Sequence, residues 1–267
     1  EFFRQGVEIG RTDWYNTFYH GKCCPMEGLD MKKRSLTDAS FVLGLAALVL
    51  RRMLYVTAVD EKGLLPQLHP LSLGLLALTA AALVLIYVAV RKQEESSTYG
   101  DCRASGLSAV LGPGAMALGI LLTVRAGMPG TAGYLGTAWL WLGMASPVCL
   151  LAAGAAAFSG KKPFFLLHMV PCLFFVVHIV SHYQTWSGNP QMLDYLFALL
   201  GAMALMFFCF YTSALEAGCG SRRMMLGMGL AAVYLCLAEL GNSAYPVLYF
   251  CGVLWIRAEL FHLRAEG

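Results

Sequence analysis

The sequence predicts an all-α fold: a polytopic bundle of about eight transmembrane helices with both ends in the cytoplasm. Three observations carry this expectation. First, 58% of the 267 residues are hydrophobic and 13% are charged, whereas a soluble domain carries about 25% charged residues. A soluble fold of this size would lack the polar surface to cover its core. Second, the mean hydropathy is +0.63. Third, the charges, which sum to only +3, gather in short clusters between apolar runs, the pattern of membrane loops. No basic face interleaved with aromatics occurs, so nucleic acid is excluded as a partner.

Residues 1–34 read as a cytoplasmic amino-terminal segment and residues 35–264 as the bundle. The first 30 residues are mixed and aromatic, and Met31-Lys32-Lys33-Arg34 resembles a natural bacterial start, which marks the preceding stretch as a candidate extension. Basic residues ahead of an apolar run also fit a secretory signal. However, Phe41–Leu50 is followed by Arg51-Arg52 and not by a small-residue cleavage site, so this run is read as an uncleaved first span.

The expected spans cover about 36–58, 70–90, 106–124, 133–158, 163–183, 192–215, 224–240 and 245–262. Backbone in lipid must satisfy its own hydrogen bonds, so runs of this length are helices, and the alternation of a β-barrel is absent. Spans three, four and five contain Pro113, Pro147 and Pro171, each about 10 Å from the inner face by helical rise. Three kinks at one level would shape a cavity or hinge, although membrane helices tolerate proline readily and the plainer reading is preferred. Ala115-x3-Gly119 and the run Ala152–Ala157 predict close helix contact. The last two spans are short; Gly241-Asn242-Ser243 followed by Pro246 joins them as a tight hairpin. The two halves do not match in proline or charge placement, which removes support for an inverted repeat.

Lysine and arginine set the expected orientation. With the amino end inside, the inner segments hold Lys32, Lys33, Arg34, Arg91, Lys92, Arg103, Lys161, Lys162, Arg222, Arg223 and Arg264, and the outer loops only Lys62 and Arg125. The same arrangement leaves no cysteine in an outer loop: Cys23, Cys24, Cys102 and Cys219 fall inside, where thiols stay reduced. Cys149, Cys172, Cys209, Cys236 and Cys251 lie in apolar runs as small hydrophobes. Vicinal Cys23-Cys24 has no second pair to complete a metal site. The expected location is the bacterial cytoplasmic membrane.

Candidate functional residues are the polar groups inside apolar spans. Arg51, His178 and Glu239 each fall about 22 Å along their spans, His182 one turn further out, and Asp194 near the outer start of span six. Arg51 and Arg52 point about 100° apart, so one of them faces the bundle. Arg51, Arg52, His178, His182, Asp194 and Glu239 therefore form a candidate substrate-binding layer opening outward, because ionisable residues within spans usually face the interior and pair. Two competing readings stand beside it: an Arg51–Glu239 tie between helices, and snorkelling to headgroups. Arg257, with Glu259, His262 and Arg264 following, is expected to reach the inner interface.

His178-x3-His182 places two imidazoles on one face, with His168 and Cys172 within about 80°. That spacing suits a metal better than haem, yet further ligands would have to come from Asp194 or Glu239; no cofactor and no metal are assigned. The sequence contains no P-loop, GxSxG, HExxH, kinase set or dinucleotide fingerprint, and no catalytic residue is assigned. The leading expectation is a non-enzymatic protein that binds or moves a small solute between spans one, five, six and seven. The alternative is a membrane interaction or sensing subunit with an unidentified membrane-protein partner. An intramembrane enzyme ranks third. The expected partners are thus the lipid bilayer, a small solute and that unidentified protein.

Overall fold

The computed structural model describes residues 27–58, 69–91, 107–127, 133–186 and 192–262. Among them the secondary structure is entirely helical: α1 (Glu27–Ala58), α2 (Pro70–Arg91), α3 (Ser108–Ala126), α4 (Tyr134–Phe158), α5 (Leu166–Trp186), α6 (Met192–Ala217), α7 (Arg222–Leu240) and α8 (Pro246–His262). These correspond one to one with the expected spans. Seven are long and apolar enough to cross a membrane. The exception is α8, whose 17 residues rise only about 25 Å. Of the amino-terminal segment expected over residues 1–34, residues 1–26 lie outside the described residues and the remainder forms the first turns of α1.

The helices run up and down. Ser40 and Arg51 of α1 meet Leu230 and Glu239 of α7 in the same order, so those two are parallel. His168 and His178 of α5 meet Trp255 and Tyr245 in reverse order, so α5 and α8 are antiparallel. One end of the bundle therefore carries the start of α1, Arg91, Lys161-Lys162 and Arg222-Arg223. It is called the basic end, and the opposite one the far end.

Six helices close a ring. α3 packs on α4, α4 on α5, α5 on α6, α6 on α7, α7 on α8, and α8 back on α3. α1 and α2 lie outside it against α7. Consequently α7 is enclosed on nearly every side: 67% of its apolar window is buried, against 28% for α1 and for α2. Every residue from Ala232 to Glu239 is buried, the sign of a helix surrounded by protein and not amphipathic. The outer surface is the reverse, with large apolar side chains such as Val84, Trp141 and Val148 exposed. In water such a surface would drive aggregation; in lipid it is the solvated face.

The seam between α3 and α8 depends on glycine. Gly112 and Gly119, seven residues apart, share one face of α3. A Cβ built on Gly112 would stand 2.9 Å from the Ala258 Cβ, and one on Gly119 2.7 Å from the Cys251 Cβ. Both distances are below van der Waals contact, so only glycine lets the backbones approach this closely. Cys251 thus packs as a small apolar side chain, and like the other described cysteines it is free. Pro113, Pro147 and Pro171 all sit inside continuous helices. Of the three, Pro113 lines a cavity.

Candidate functional site

Two groups of buried polar side chains occupy opposite ends of the bundle. At the far end, Arg51 is 1% exposed and forms an ion pair with Glu239, itself 2% exposed. Burial follows from placement: Arg51 projects from α1 onto α7, and Glu239 lies in the last turn of that enclosed helix. Each charge is well satisfied. Arg51 Nη1 also donates to the Ala238 carbonyl at 3.2 Å, and the guanidinium stands 5.0 Å from the Phe197 ring centroid. Ser243 lies within reach of the same carboxylate. A guanidinium remains charged at any accessible pH, so one positive and one negative group cancel here.

The far end of α5 carries a second constellation. His178 and His182 stack edge to face with centroids 4.3 Å apart, and Tyr245 packs against both rings, at 5.8 and 5.1 Å. Trp139 Nε1 donates to His178 Nδ1 at 3.3 Å, so that nitrogen carries the lone pair. The Tyr245 hydroxyl donates to the Gly127 carbonyl at 3.2 Å. These groups face the interior of the ring, whereas Arg51 and Glu239 lie on the α1–α7 seam outside it.

The six candidate residues are therefore distributed as follows. Arg51 meets Glu239, and His178 meets His182. Arg52 is exposed on the lipid side of α1. Asp194 belongs to α6, and its side chain lies outside the described residues. Arg257 reaches to Asp38 at 3.4 Å near the basic end, with both side chains substantially exposed. No protein-family model, curated protein or solved structure matches this chain. What the arrangement does must therefore be argued from its own chemistry.

The basic end holds a group that the polar-layer reasoning overlooked. His168, in the first turn of α5, places Nδ1 2.9 Å from the carboxylate of Glu216, in the last turn of α6. Both are buried, at 4% exposure each. The indole of Trp255 stacks parallel to the imidazole, with centroids 6.2 Å apart. Phe208 meets the same indole edge to face at 5.1 Å. One turn beyond Trp255 on α8 is Glu259, half-buried. His168, Glu216, Glu259 and Thr212 line a cavity whose remaining wall is mostly apolar, including Pro113, Ala153, Gly154 and Phe208. About 30 Å³ of it is open to water centres, room for about two waters at roughly 10–15 Å³ each. Among the described residues no three His, Cys, Asp or Glu side chains are placed to hold a metal ion.

The sequence held part of this signal. His168 precedes His178 by ten residues, which puts both on the ring-facing side of α5. Glu216 and Glu259 close their apolar runs, where an acidic residue ordinarily marks the interface. Only the packing of α5 between α4 and α6, with α8 opposite, brings the three together.

Proposed function

We propose that this integral membrane protein binds or moves a small solute through the interior of the six-helix ring, with the cavity at the basic end as the binding site. One observation carries the reading. Three ionisable side chains from three helices converge on a cavity with a mostly apolar wall, and they carry two acids against one base. A tie between helices needs only a matched pair, as Arg51 and Glu239 illustrate. Unpaired chemistry around a wet space is the usual mark of a solute or ion path in membrane proteins. The aromatic faces of Trp255 and Phe208 beside two carboxylates favour a cationic occupant. The small volume favours an inorganic cation, a proton or a small amine.

This reading moves the site from the outer layer expected from the sequence to the opposite end. The far-end groups remain on the same ring face of α5 and would serve as the other end of the path. Under the orientation set by the positive charges, the cavity opens to the cytoplasm.

Thermal unfolding of the purified protein, titrated with inorganic cations, methylammonium and small amines, tests the proposal. A binder should raise the midpoint, since a ligand at 100 times its dissociation constant stabilises by about 2.7 kcal/mol. The rise should vanish in Glu216→Gln and Glu259→Gln. A flat response to every solute, or a response that both variants retain, would refute it. A stable partner co-purifying with a solute-insensitive protein would instead favour the interaction or sensing subunit.

A further inference from the structure

The charges around the basic-end cavity do not balance. Glu216 is matched by His168 at 2.9 Å. Among the described residues no lysine or arginine lines the cavity to match Glu259. α5 contributes His168 and α6 contributes Glu216. α8 contributes Glu259, while its Arg257 is turned to Asp38. α3 and α4 contribute only Ala109, Pro113, Ala153, Gly154 and Ala157, and α7 contributes Met225.

One polar atom at the same place lacks a protein partner. With Nδ1 held by Glu216, His168 Nε2 is buried without a hydrogen bond, whereas the Trp255 indole N–H is directed to the Glu259 carboxylate. Unsatisfied buried donors are rare in native proteins and call for a ligand or water. His168 lines the cavity, and Trp255 lies four residues before Glu259, on the same face of α8.

We infer that this cluster is a proton-binding site, with Glu259 as the proton-carrying group and water in the cavity bridging it to His168 Nε2. The inference rests on the cavity proposed above as the solute site and assigns its ligand class. A proton arriving from water at the basic end forms an O–H bond on the Glu259 carboxylate and cancels its charge. The same proton leaves by the same route, and the net charge of the ring interior falls by one. Glu216 holds the imidazole by Nδ1 and leaves Nε2 to water in the cavity. Trp255 shields one face of the imidazole. A carboxylate desolvated with only an indole N–H as partner is otherwise costly, because a buried charge without an opposite charge is strongly disfavoured.

Infrared difference spectroscopy of the full chain in lipid nanodiscs, recorded as pH is varied, reads the site directly. A protonated carboxyl C=O band should be present at low pH and disappear as pH rises. It should be lost in Glu259→Gln. In Glu259→Asp it should persist at a displaced frequency, which separates loss of the group from loss of the fold. His168→Gln should move its midpoint by roughly one pH unit, by removing the neighbouring imidazole. Absence of the band throughout the folded pH range, or its survival unchanged in Glu259→Gln, would overturn the assignment. Displacement of the proton by sodium at constant pH would also overturn it, in favour of a metal cation. An intact band in a protein whose thermal midpoint ignores every added solute would leave the proton site standing and remove the wider solute reading.

Discussion

The Arg51–Glu239 pair offers the most quantitative test of the packing. Glu239→Leu would strand a guanidinium that is 1% exposed and cannot discharge by losing a proton. The Ala238 carbonyl and the Phe197 face would still hold it, but the opposite charge would be gone. Breaking a buried pair in this way costs about 3–5 kcal/mol. Arg51→Met should cost less, about 2–3 kcal/mol, because the remaining carboxylate can neutralise itself with a proton while the cavity left behind stays small. The double replacement Arg51→Met with Glu239→Leu removes both charges and restores apolar contact along the α1–α7 seam. Exchanges of this kind are often neutral or better, so the double variant should lie about 2 kcal/mol below the parent at worst. The implied coupling is at least about 3 kcal/mol, at or above the upper edge of values seen for contacting residues.

Reversible unfolding in mixed micelles, followed by tryptophan fluorescence, measures all four corners of that cycle. Trp139 and Trp255 sit inside the ring and report its opening. If the two single losses add to the double within about 0.5 kcal/mol, the residues do not touch and the placement of α1 on α7 is wrong. If both singles are harmless, the groups are solvated at the headgroups and the pair is not buried.

Three further outcomes follow from the same architecture. Arg52→Gln should leave stability within about 0.5 kcal/mol in the same assay, because Arg52 is exposed to lipid and only its neighbour points inward; a loss comparable to Arg51→Met would reverse that assignment. Gly119→Ala should cost about 1–3 kcal/mol through overpacking against Cys251, whose Cβ would stand 2.7 Å away, and Cys251→Gly in the same chain should recover much of the loss. A cysteine replacing Lys161 should be protected from a membrane-impermeant thiol reagent in intact cells and labelled after lysis; labelling in intact cells would invert the bundle and turn the basic-end cavity outward.

The architecture was legible in the sequence because hydrocarbon thickness and backbone hydrogen bonding leave few alternatives. All eight helix positions followed from apolar length alone, and the hairpin between α7 and α8 followed from Gly241 and Pro246. The Arg51–Glu239 contact was legible as well, from equal depth along two parallel helices. Its location was not. Depth along a span says nothing of which helices are neighbours, so residues from α1, α5, α6 and α7 merged into one layer. The structure separates them, with His178 and His182 inside the ring and the ion pair outside. Glu216 escaped notice, and Glu259 was placed with the inner interface, for a related reason. Each ends an apolar run, where an acidic residue is ordinarily solvated, and neither shows by its sequence position that a histidine of α5 lies opposite.

The contrast between the two ends separates a structural tie from a site. At the far end, one fixed cation meets one carboxylate, each with further partners. A Cβ built on Gly241 would stand 3.0 Å from the Leu48 carbonyl oxygen and 3.1 Å from the Arg51 Cβ, which leaves little room for a third party. The ion pair itself requires no ligand, and removing both charges together should be tolerated. At the basic end, two carboxylates face one imidazole, His168 Nε2 has no protein partner, and the space between them holds water-sized volume. Among the described residues no fixed cation completes that group, which is the ground for proposing a mobile one. The opposite responses expected of the two groups express this difference: loss of stability restored by a double exchange at the first, and loss of a titrating group in Glu259→Gln, with Glu259→Asp retaining it, at the second. A bundle that used both groups only for cohesion would respond alike at both ends.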